Sequence, residues 1–144
     1  MLPLSIRTAT FRDATAIASL LAQLGYQTPA EKLKPLLDQA NSSFIYVAVL
    51  DKKVVGVMSL MYFDYLPSAE KYCRITTLVV DQALRGWGIG KALIAQAQQS
   101  ALQQHCSVLE LTTGLQRSDA HAFYEHLGFE RVSYKYIKRL EKAN

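Results

Sequence analysis

Apolar residues along the chain switch between two spacings, and each spacing predicts one type of secondary structure. Alternation with a period of two at Leu4–Thr10 predicts a first strand, and helical spacing follows it over residues 17–24. Thr10 and Asp13 have the spacing of a capping box, which starts this helix at Thr10. Gly25 is placed to end it.

A second helix is predicted after a short connection. Thr28 and Glu31 repeat the start signal, and Pro29 suits the first helical position. Pro35 follows within the same apolar pattern. Because proline lacks an N–H and clashes with the preceding turn, we expect Pro35 to kink or shorten this helix.

Three strand-like segments come next, at Phe44–Leu50, Val54–Phe63 and Tyr72–Val80. The letters DKK between the first two predict a short hairpin turn. Residues 65–71, between the second and the third, predict a loop.

The remainder of the chain alternates between helix and strand. The pattern predicts a helix at 89–104, a strand at 107–113, a short helix at 118–127 ended by Gly128, and a final strand at Phe129–Leu140. No repeat or linker interrupts the pattern. The sequence therefore predicts one α+β domain over residues 1–144, in the order β-α-α-β-β-β-α-β-α-β.

Composition supports an ordinary globular protein. Of 144 residues, 50% are apolar and 19% are charged, which suits one domain with one core. The apolar stretch Val54–Phe63 is too short to span a bilayer, and the first ten residues lack signal-peptide features. We expect a soluble, cytoplasmic protein that binds neither membrane nor nucleic acid, because its net charge of +4 is not gathered into a basic block.

Cysteine and histidine spacing predicts neither disulfides nor a metal site. Cys73 and Cys106 do not form a C-x-x-C pair, so we expect two buried, reduced thiols. His121 and His126 are five apart on a predicted helix and point in different directions.

One glycine-rich segment, RGWGIGK at 85–91, falls between a predicted strand and a predicted helix. Such a junction gathers free backbone N–H groups and the positive end of a helix dipole, which suits a phosphate. The dinucleotide pattern G-x-G-x-x-G fails here because Lys91 or Leu93 stands at the last glycine. The P-loop pattern fails because Ala92 follows the lysine.

The pattern that fits is R-x-x-G-x-G, and it resembles the pyrophosphate loop of the Gcn5-related N-acetyltransferases. The segment RSDAHAFYEHLGF, with Tyr124 on a short helix, resembles the second signature of that family. The resemblance covers the chain from Leu4 to about Leu140. It implies a mixed, mostly antiparallel central sheet flanked by helices. The helix segment is most similar to enzymes that acetylate small amines, including aminoglycosides and aminoalkylphosphonates.

The resemblance also implies a co-substrate, acetyl-CoA, and a set of residues that hold it. The loop amides would bind its pyrophosphate, and the strand before the loop would bind its pantetheine arm. The implied cofactor-binding residues are Leu78, Val79, Val80, Arg85, Gly86, Trp87, Gly88, Ile89, Gly90, Lys91 and Tyr124.

Two catalytic roles follow from the same resemblance. The amide of Leu78 or Val79 would donate to the oxyanion, and we expect Leu78 or its neighbour to fill this role. Tyr124 would be the acid, since phenol and thiol have reference pKa values of about 10 and about 8.5 and a neutral phenol can protonate a departing thiolate.

The sequence departs from the family at the general base. Relatives often carry a glutamate on the central strand where this chain has Thr77. A water relay, a group elsewhere or an amine that arrives neutral would have to replace it. The carboxylates available near the expected cleft are Asp64, Glu70 and Glu110, the first two of them on the predicted loop.

The sequence as a whole predicts an acetyl-CoA-dependent N-acetyltransferase for a primary amine of a small molecule. Direct transfer in a ternary complex is expected, because no cysteine or serine nucleophile is evident. A non-catalytic acyl-CoA sensor and a protein or peptide N-acetyltransferase stay open as alternatives. A homodimer is possible through the last strand.

Overall fold

The computed structural model describes residues 3–38, 44–112, 118–132 and 135–140. The chain divides into two compact units, residues 1–111 and 112–144. The prediction of a single domain stays a prediction.

In its described residues, the first unit contains five strands and three α-helices. The strands are β1 (Leu4–Thr8), β2 (Ile45–Leu50), β3 (Lys53–Tyr65), β4 (Glu70–Val80) and β5 (Val108–Leu111). The helices are α1 (Ala14–Ala22), α2 (Ala30–Leu33) and α3 (Ile89–Gln103). Short 3₁₀ turns precede α1 at Phe11–Asp13, follow α2 at Lys34–Leu37 and follow β4 at Gln82–Leu84.

The strands form one sheet in the order β1-β2-β3-β4-β5. The first three pairings are antiparallel, and only β4 and β5 run parallel. The expected α+β fold with a mixed, mostly antiparallel sheet is therefore confirmed.

The turn between β2 and β3 is one residue shorter than the DKK turn predicted from the sequence. Leu50 pairs with Lys53, so only Asp51 and Lys52 form the turn. Their φ angles are +50° and +64°. Two left-handed residues in succession match the right-handed twist of the strands on either side.

Local capping fixes the two ends of the first helical segment. Asp13 accepts a hydrogen bond from the Thr10 backbone N–H at 2.8 Å and forms an ion pair with Arg7 at 2.8 Å. At the other end, Gly25 has φ +90°, and the Tyr26 N–H donates to the Leu21 carbonyl at 3.1 Å. This wide helix-ending turn satisfies a carbonyl that would otherwise lack a partner.

The second helix is shorter than a regular helix, as Pro35 led us to expect. It makes a single α-helical turn and continues as the 3₁₀ turn that contains Pro35. Pro29 precedes the first helical residue instead of occupying it.

Helices cover both faces of the sheet. From α1, Ile17 and Leu20 are buried in one cluster with Val57 of β3. Gly56, the preceding residue of β3, faces α3, where a Cβ would meet Leu93 at 3.1 Å. Successive strand residues point to opposite faces, so α1 and α3 lie on opposite sides of the sheet.

The second unit contains helix α4 (Ser118–His126). It ends as predicted at Gly128, whose φ is +94°. The predicted strand Phe129–Leu140 was wrong: residues 129–132 and 135–140 form no strand, and 133–134 lie outside the described residues. Its apolar side chains are largely exposed, including Tyr136 at 93%. Alternation selects a strand only where a partner strand accepts its hydrogen bonds.

No helix in the described ranges is both long enough and apolar enough to cross a membrane. The cytoplasmic location stays a prediction.

Candidate active site

A β-bulge interrupts β4 in the middle of the sheet. Ser59 lies opposite Thr77, but the next residue of β3, Leu60, lies opposite Ile75. Thr76 is therefore the extra residue. A bulge bends its strand and increases the local twist, so β4 changes direction at Thr76.

Beyond the bulge, one edge of β4 is open. Strand β5 pairs with β4 only over Tyr72–Ile75. In the described residues of the first unit, no strand pairs with this edge from Thr76 to Val80. We call this stretch, residues 76–80, the open edge.

Backbone alternation decides which amides reach the open edge. The Asp81 N–H donates to the Val55 carbonyl of β3 at 2.8 Å. Successive residues of an antiparallel strand point their N–H and C=O groups alternately toward and away from the partner. The backbone groups of Leu78 and Val80 therefore point away from β3, toward the open edge.

The glycine loop follows directly and depends on left-handed backbone. Gly86 and Gly88 have φ angles of +87° and +81°. A Cβ at either position would meet no atom within 4 Å. The backbone conformation, and not crowding, is what requires glycine here.

The first turn of α3 presents free amides to solvent. Its first helical hydrogen bond runs from the Ala92 N–H to the Gly88 carbonyl at 3.0 Å. Gly88, the residue before the helix, has no side chain that could cap this end, and the first turn holds no acidic residue. The N–H groups of residues 88–91 and the helix dipole thus form a site that suits an anion.

The side chains of the loop divide between core and surface. Ile89 is 2% exposed and anchors the turn beneath the loop, whereas Trp87 is 61% exposed. Lys91 is also exposed. The loop therefore carries an aromatic ring and a cation beside its free amides.

Polar side chains gather on one face of the sheet near the bulge. The Ser59 and Thr76 hydroxyl oxygens lie 2.6 Å apart. Arg74 Nε donates to Glu110 Oε1 of β5 at 2.5 Å. Arg74 lies opposite Met61 of β3, and Met61 points to the same face as Ser59 because the two are two residues apart. The hydroxyl pair and the ion pair therefore lie on the same face of the sheet. The amino-acid sequence alone does not pair Arg74 with Glu110, because this contact depends on the register of β4 against β5.

Aromatic rings extend this face along the β3–β4 hairpin. The Arg74 guanidinium lies 4.8 Å from the Phe63 ring centre. The Tyr72 ring packs against Phe63 at 5.4 Å and stacks on Tyr65 at 4.7 Å. This arrangement suits packing along the hairpin and equally suits contact with a ligand.

Two carboxylates assigned to a loop lie instead in strands. Asp64 belongs to β3 and Glu70 begins β4, so the connection shrinks to residues 66–69. The hydrogen bond from the Ser107 hydroxyl to Glu70, at 2.7 Å, lowers the pKa of this carboxyl. The hairpin is longer than predicted because cross-strand pairing extends into polar residues.

Residues 12–129 match the sequence profile of the Acetyltransferase (GNAT) family. The chain belongs to the GNAT acetyltransferase family. It is 31% identical over 140 residues to the aminoalkylphosphonate N-acetyltransferase of Salmonella typhimurium, a match that covers 94% of this chain and 90% of that protein. It is 33% identical to human N-acetyltransferase 8 over 72% of this chain, but it spans only 45% of that protein.

Solved structures show the same fold. An aminoglycoside N-acetyltransferase in complex with CoA superimposes with a TM-score of 0.80, covering 99% of this chain and 97% of that one at 17% identity. A protein from Bacillus halodurans, described as a transcriptional regulator, superimposes with a TM-score of 0.75 at 27% identity, covering 96% and 100%. The family match and the 31% identical relative thus identify this GNAT protein as an N-acetyltransferase.

The predicted site residues of this GNAT protein divide between its two units. The open edge and the glycine loop are consecutive in the first unit. Tyr124 lies on α4 in the second, where its ring contacts Phe123 at 5.4 Å and Phe129 at 6.0 Å. The Phe129 N–H donates to the Tyr124 carbonyl at 3.1 Å, which closes the helix end behind this ring.

Both cysteines are buried and free, as predicted. Burial, with the nearby Cys106, raises the pKa of the Cys73 thiol to about 11. Burial also raises the pKa of Cys106. Within the described ranges, no three metal-ligating side chains of His, Cys, Asp or Glu form a group.

Proposed function

We propose that this protein transfers an acetyl group from acetyl-CoA to a primary amine of a small molecule, directly and within a ternary complex. One observation carries the proposal: the open edge of β4 leads without a break into a glycine loop and an uncapped helix start. An extended arm that ends in a pyrophosphate fits such a surface. The names of two relatives, which act on an aminoalkylphosphonate and an aminoglycoside, support a small amine as acceptor.

Residues of the first unit would hold the donor. The free amides of residues 88–91 suit the pyrophosphate, with Arg85, Gly86 and Trp87 completing the loop. The backbone groups of Leu78 and Val80 suit the pantetheine arm, since an extended chain can pair with an open strand edge. Val79 would contribute by packing, because it is buried with its backbone toward β3.

For the oxyanion, the geometry favours Leu78 over Val79. The Leu78 N–H points to the open edge, where the thioester would lie. A backbone amide held by the sheet needs no rearrangement as negative charge develops on the carbonyl oxygen. Tyr124 is proposed as the acid that returns a proton to the departing thiolate.

For the base, Glu110 is the carboxylate that shares a face with the bulge. Asp64 is an odd number of residues from Met61 along β3 and so points to the opposite face. Glu70 lies at the far end of β4. We propose that the acceptor amine gives its proton to Glu110 through water, with the Ser59 and Thr76 hydroxyls holding that water.

Direct transfer agrees with the state of the cysteines. An acyl-enzyme route needs a reactive thiolate. The raised pKa of Cys73 keeps this group protonated at neutral pH, and its side chain is fully buried. Neither property suits a nucleophile.

Thr77 favours one alternative, a non-catalytic acyl-CoA sensor, because threonine supplies no carboxylate at the bulge. Thiol release from acetyl-CoA separates the two functions when it is measured against polyamines, aminoglycosides, aminoalkylphosphonates, amino acids and short peptides. Release with a small amine supports the proposal. Binding of acetyl-CoA with no release supports the sensor, and a preference for peptides supports a protein N-acetyltransferase.

A further inference from the structure

Gln23 connects the end of α1 to the start of the glycine loop. The Gln82 backbone N–H donates to Gln23 Oε1 at 2.9 Å. Gln23 Nε2 donates to Asp81 Oδ1 at 3.3 Å. One side chain thus bridges two segments that lie 58 residues apart in sequence. We call Gln23, Asp81 and Gln82 the Gln23 bridge.

Asp81 passes this restraint on to the loop. Its Oδ1 also accepts from the Ala83 N–H at 3.1 Å, which caps the 3₁₀ turn Gln82–Leu84. The Leu84 N–H donates to the Asp81 carbonyl at 2.9 Å, and the Trp87 N–H donates to the Leu84 carbonyl at 3.3 Å. Two linked turns therefore lead from the bridge to Gly88.

The bridge is not needed to end α1. The Gln23 backbone N–H donates to the Leu20 carbonyl at 3.1 Å, and the Leu24 N–H donates to the Leu21 carbonyl at 3.0 Å. These backbone contacts survive any change of the Gln23 side chain. Gly25 makes the helix-ending turn. The Gln23 side chain is exposed, so its loss creates no cavity in the core. What the side chain adds is the restraint on residues 81–83.

We infer that Gln23 is a positioning residue for the acetyl-CoA site: it holds the 3₁₀ turn after β4, and thereby the phosphate-binding amides that follow. This inference rests on the proposed function of the loop. Because the Gln23 bridge lies next to the proposed acetyl-CoA site, its loss should weaken acetyl-CoA binding without altering the KM for the acceptor amine. The hydrogen bonds of the Gln23 side chain are exposed to solvent. The expected loss of acetyl-CoA affinity is therefore modest, roughly three- to tenfold.

Gln23→Ala tests the inference, with Gln27→Ala as the matched control. Gln27 is exposed near the same helix end and makes no side-chain hydrogen bond within the described residues. Trp87 is the chain's only tryptophan, so its fluorescence reports on the loop during titration with CoA. We expect Gln23→Ala to raise the CoA dissociation constant and the KM for acetyl-CoA, with kcat, the acceptor KM and Tm unchanged. Gln27→Ala should match the unmodified protein.

A charge-balanced rescue separates positioning from general damage. Gln23→Glu keeps the acceptor for the Gln82 N–H but sets a carboxylate against Asp81, so it should weaken CoA binding at least as much as Gln23→Ala. Adding Asp81→Asn supplies a side-chain amide that can donate a hydrogen bond to the carboxylate introduced by Gln23→Glu. The double variant should recover most of the affinity that Gln23→Glu loses.

Three results would overturn the inference. They are equal CoA affinity in Gln23→Ala and Gln27→Ala, an equal fall in every kinetic constant and in Tm, or no recovery in the double variant. If the unmodified protein does not bind CoA at all, the proposed function fails and the inference fails with it. Normal CoA binding that is insensitive to Gln23 overturns the inference alone.

Discussion

Gly56 of β3 leaves the space that Leu93 of α3 occupies. A Cβ on Gly56 would lie 3.1 Å from Leu93 Cδ1 and 3.3 Å from Ile89 Cγ2. Both contacts belong to the first turns of α3. The absence of a side chain at Gly56 therefore sets how closely the first turns of α3, where we propose that the pyrophosphate binds, approach the sheet.

Gly56→Ala should destabilise the protein by about 1–3 kcal/mol, because an added methyl group overpacks a closed core. Denaturant unfolding measures the change. Leu93→Val removes the atom nearest the new methyl, so Gly56→Ala with Leu93→Val should be more stable than the sum of the two single variants predicts. Strict additivity would contradict the contact as described.

Gly88→Trp should abolish acetyl-CoA binding, because a large side chain would cover the amides of the loop. Gly90→Trp should do the same. Gly25→Trp is a matched control, since Gly25 has a similar φ of +90° and equally open surroundings but ends α1. Both Gly88→Trp and Gly25→Trp force a non-glycine residue into left-handed backbone at a cost of about 1–2 kcal/mol. Tight acetyl-CoA binding by Gly88→Trp would remove the loop from the site.

Tyr124→Phe should reduce kcat more than it weakens the binding of acetyl-CoA. The ring and its contacts with Phe123 and Phe129 are kept, and only the hydroxyl that would protonate the thiolate is lost. Steady-state kinetics across a range of pH measures this split. Unchanged turnover at every pH would leave Tyr124 a packing role.

Glu110→Gln should lower kcat/KM for the amine by about 10²-fold or more if Glu110 is the base. The variant keeps an oxygen that can accept from Arg74, so the strands should stay paired. Asp64→Asn, on the opposite face, is the control and should leave kcat/KM unchanged. Comparable activity in the two variants would exclude Glu110 as the base.

Acid should destabilise the protein through Asp13. Hydrogen bonds from Arg7, followed by those from Thr10, lower the pKa of this buried carboxyl in the folded state. The stabilisation is therefore fully present above the pKa of an unfolded aspartate, about 3.9, and is lost as the pH falls through the lower folded value.

Asp13→Asn tests this dependence. At neutral pH the variant should lose about 1–2 kcal/mol of unfolding free energy, because the Arg7 pair is broken. Its free energy of unfolding should also fall less steeply below pH 4 than that of the unmodified protein. Parallel acid profiles for the two proteins would show that another group carries the dependence.

The sequence by itself determined the parts of this protein that depend on neighbouring residues. Helical spacing placed four residues of α3 on one face, and all four are buried: Ile89, Leu93, Ala97 and Ala101. The capping box at Thr10 and the glycine ends of α1 and α4 were also predicted correctly. These features follow from contacts within one turn and from the φ angles that glycine adopts without strain.

Tertiary structure decided what depends on pairing between distant residues. The bulge at Thr76, which creates the open edge, arises from the register of β3 against β4. Arg74 meets Glu110 across 36 residues, and Gln23 meets Asp81 across 58. Conversely, the strand predicted at Phe129–Leu140 does not form in its described residues, although its alternation is local. Backbone hydrogen bonds between strands need a partner, and the partner and its register come from the fold.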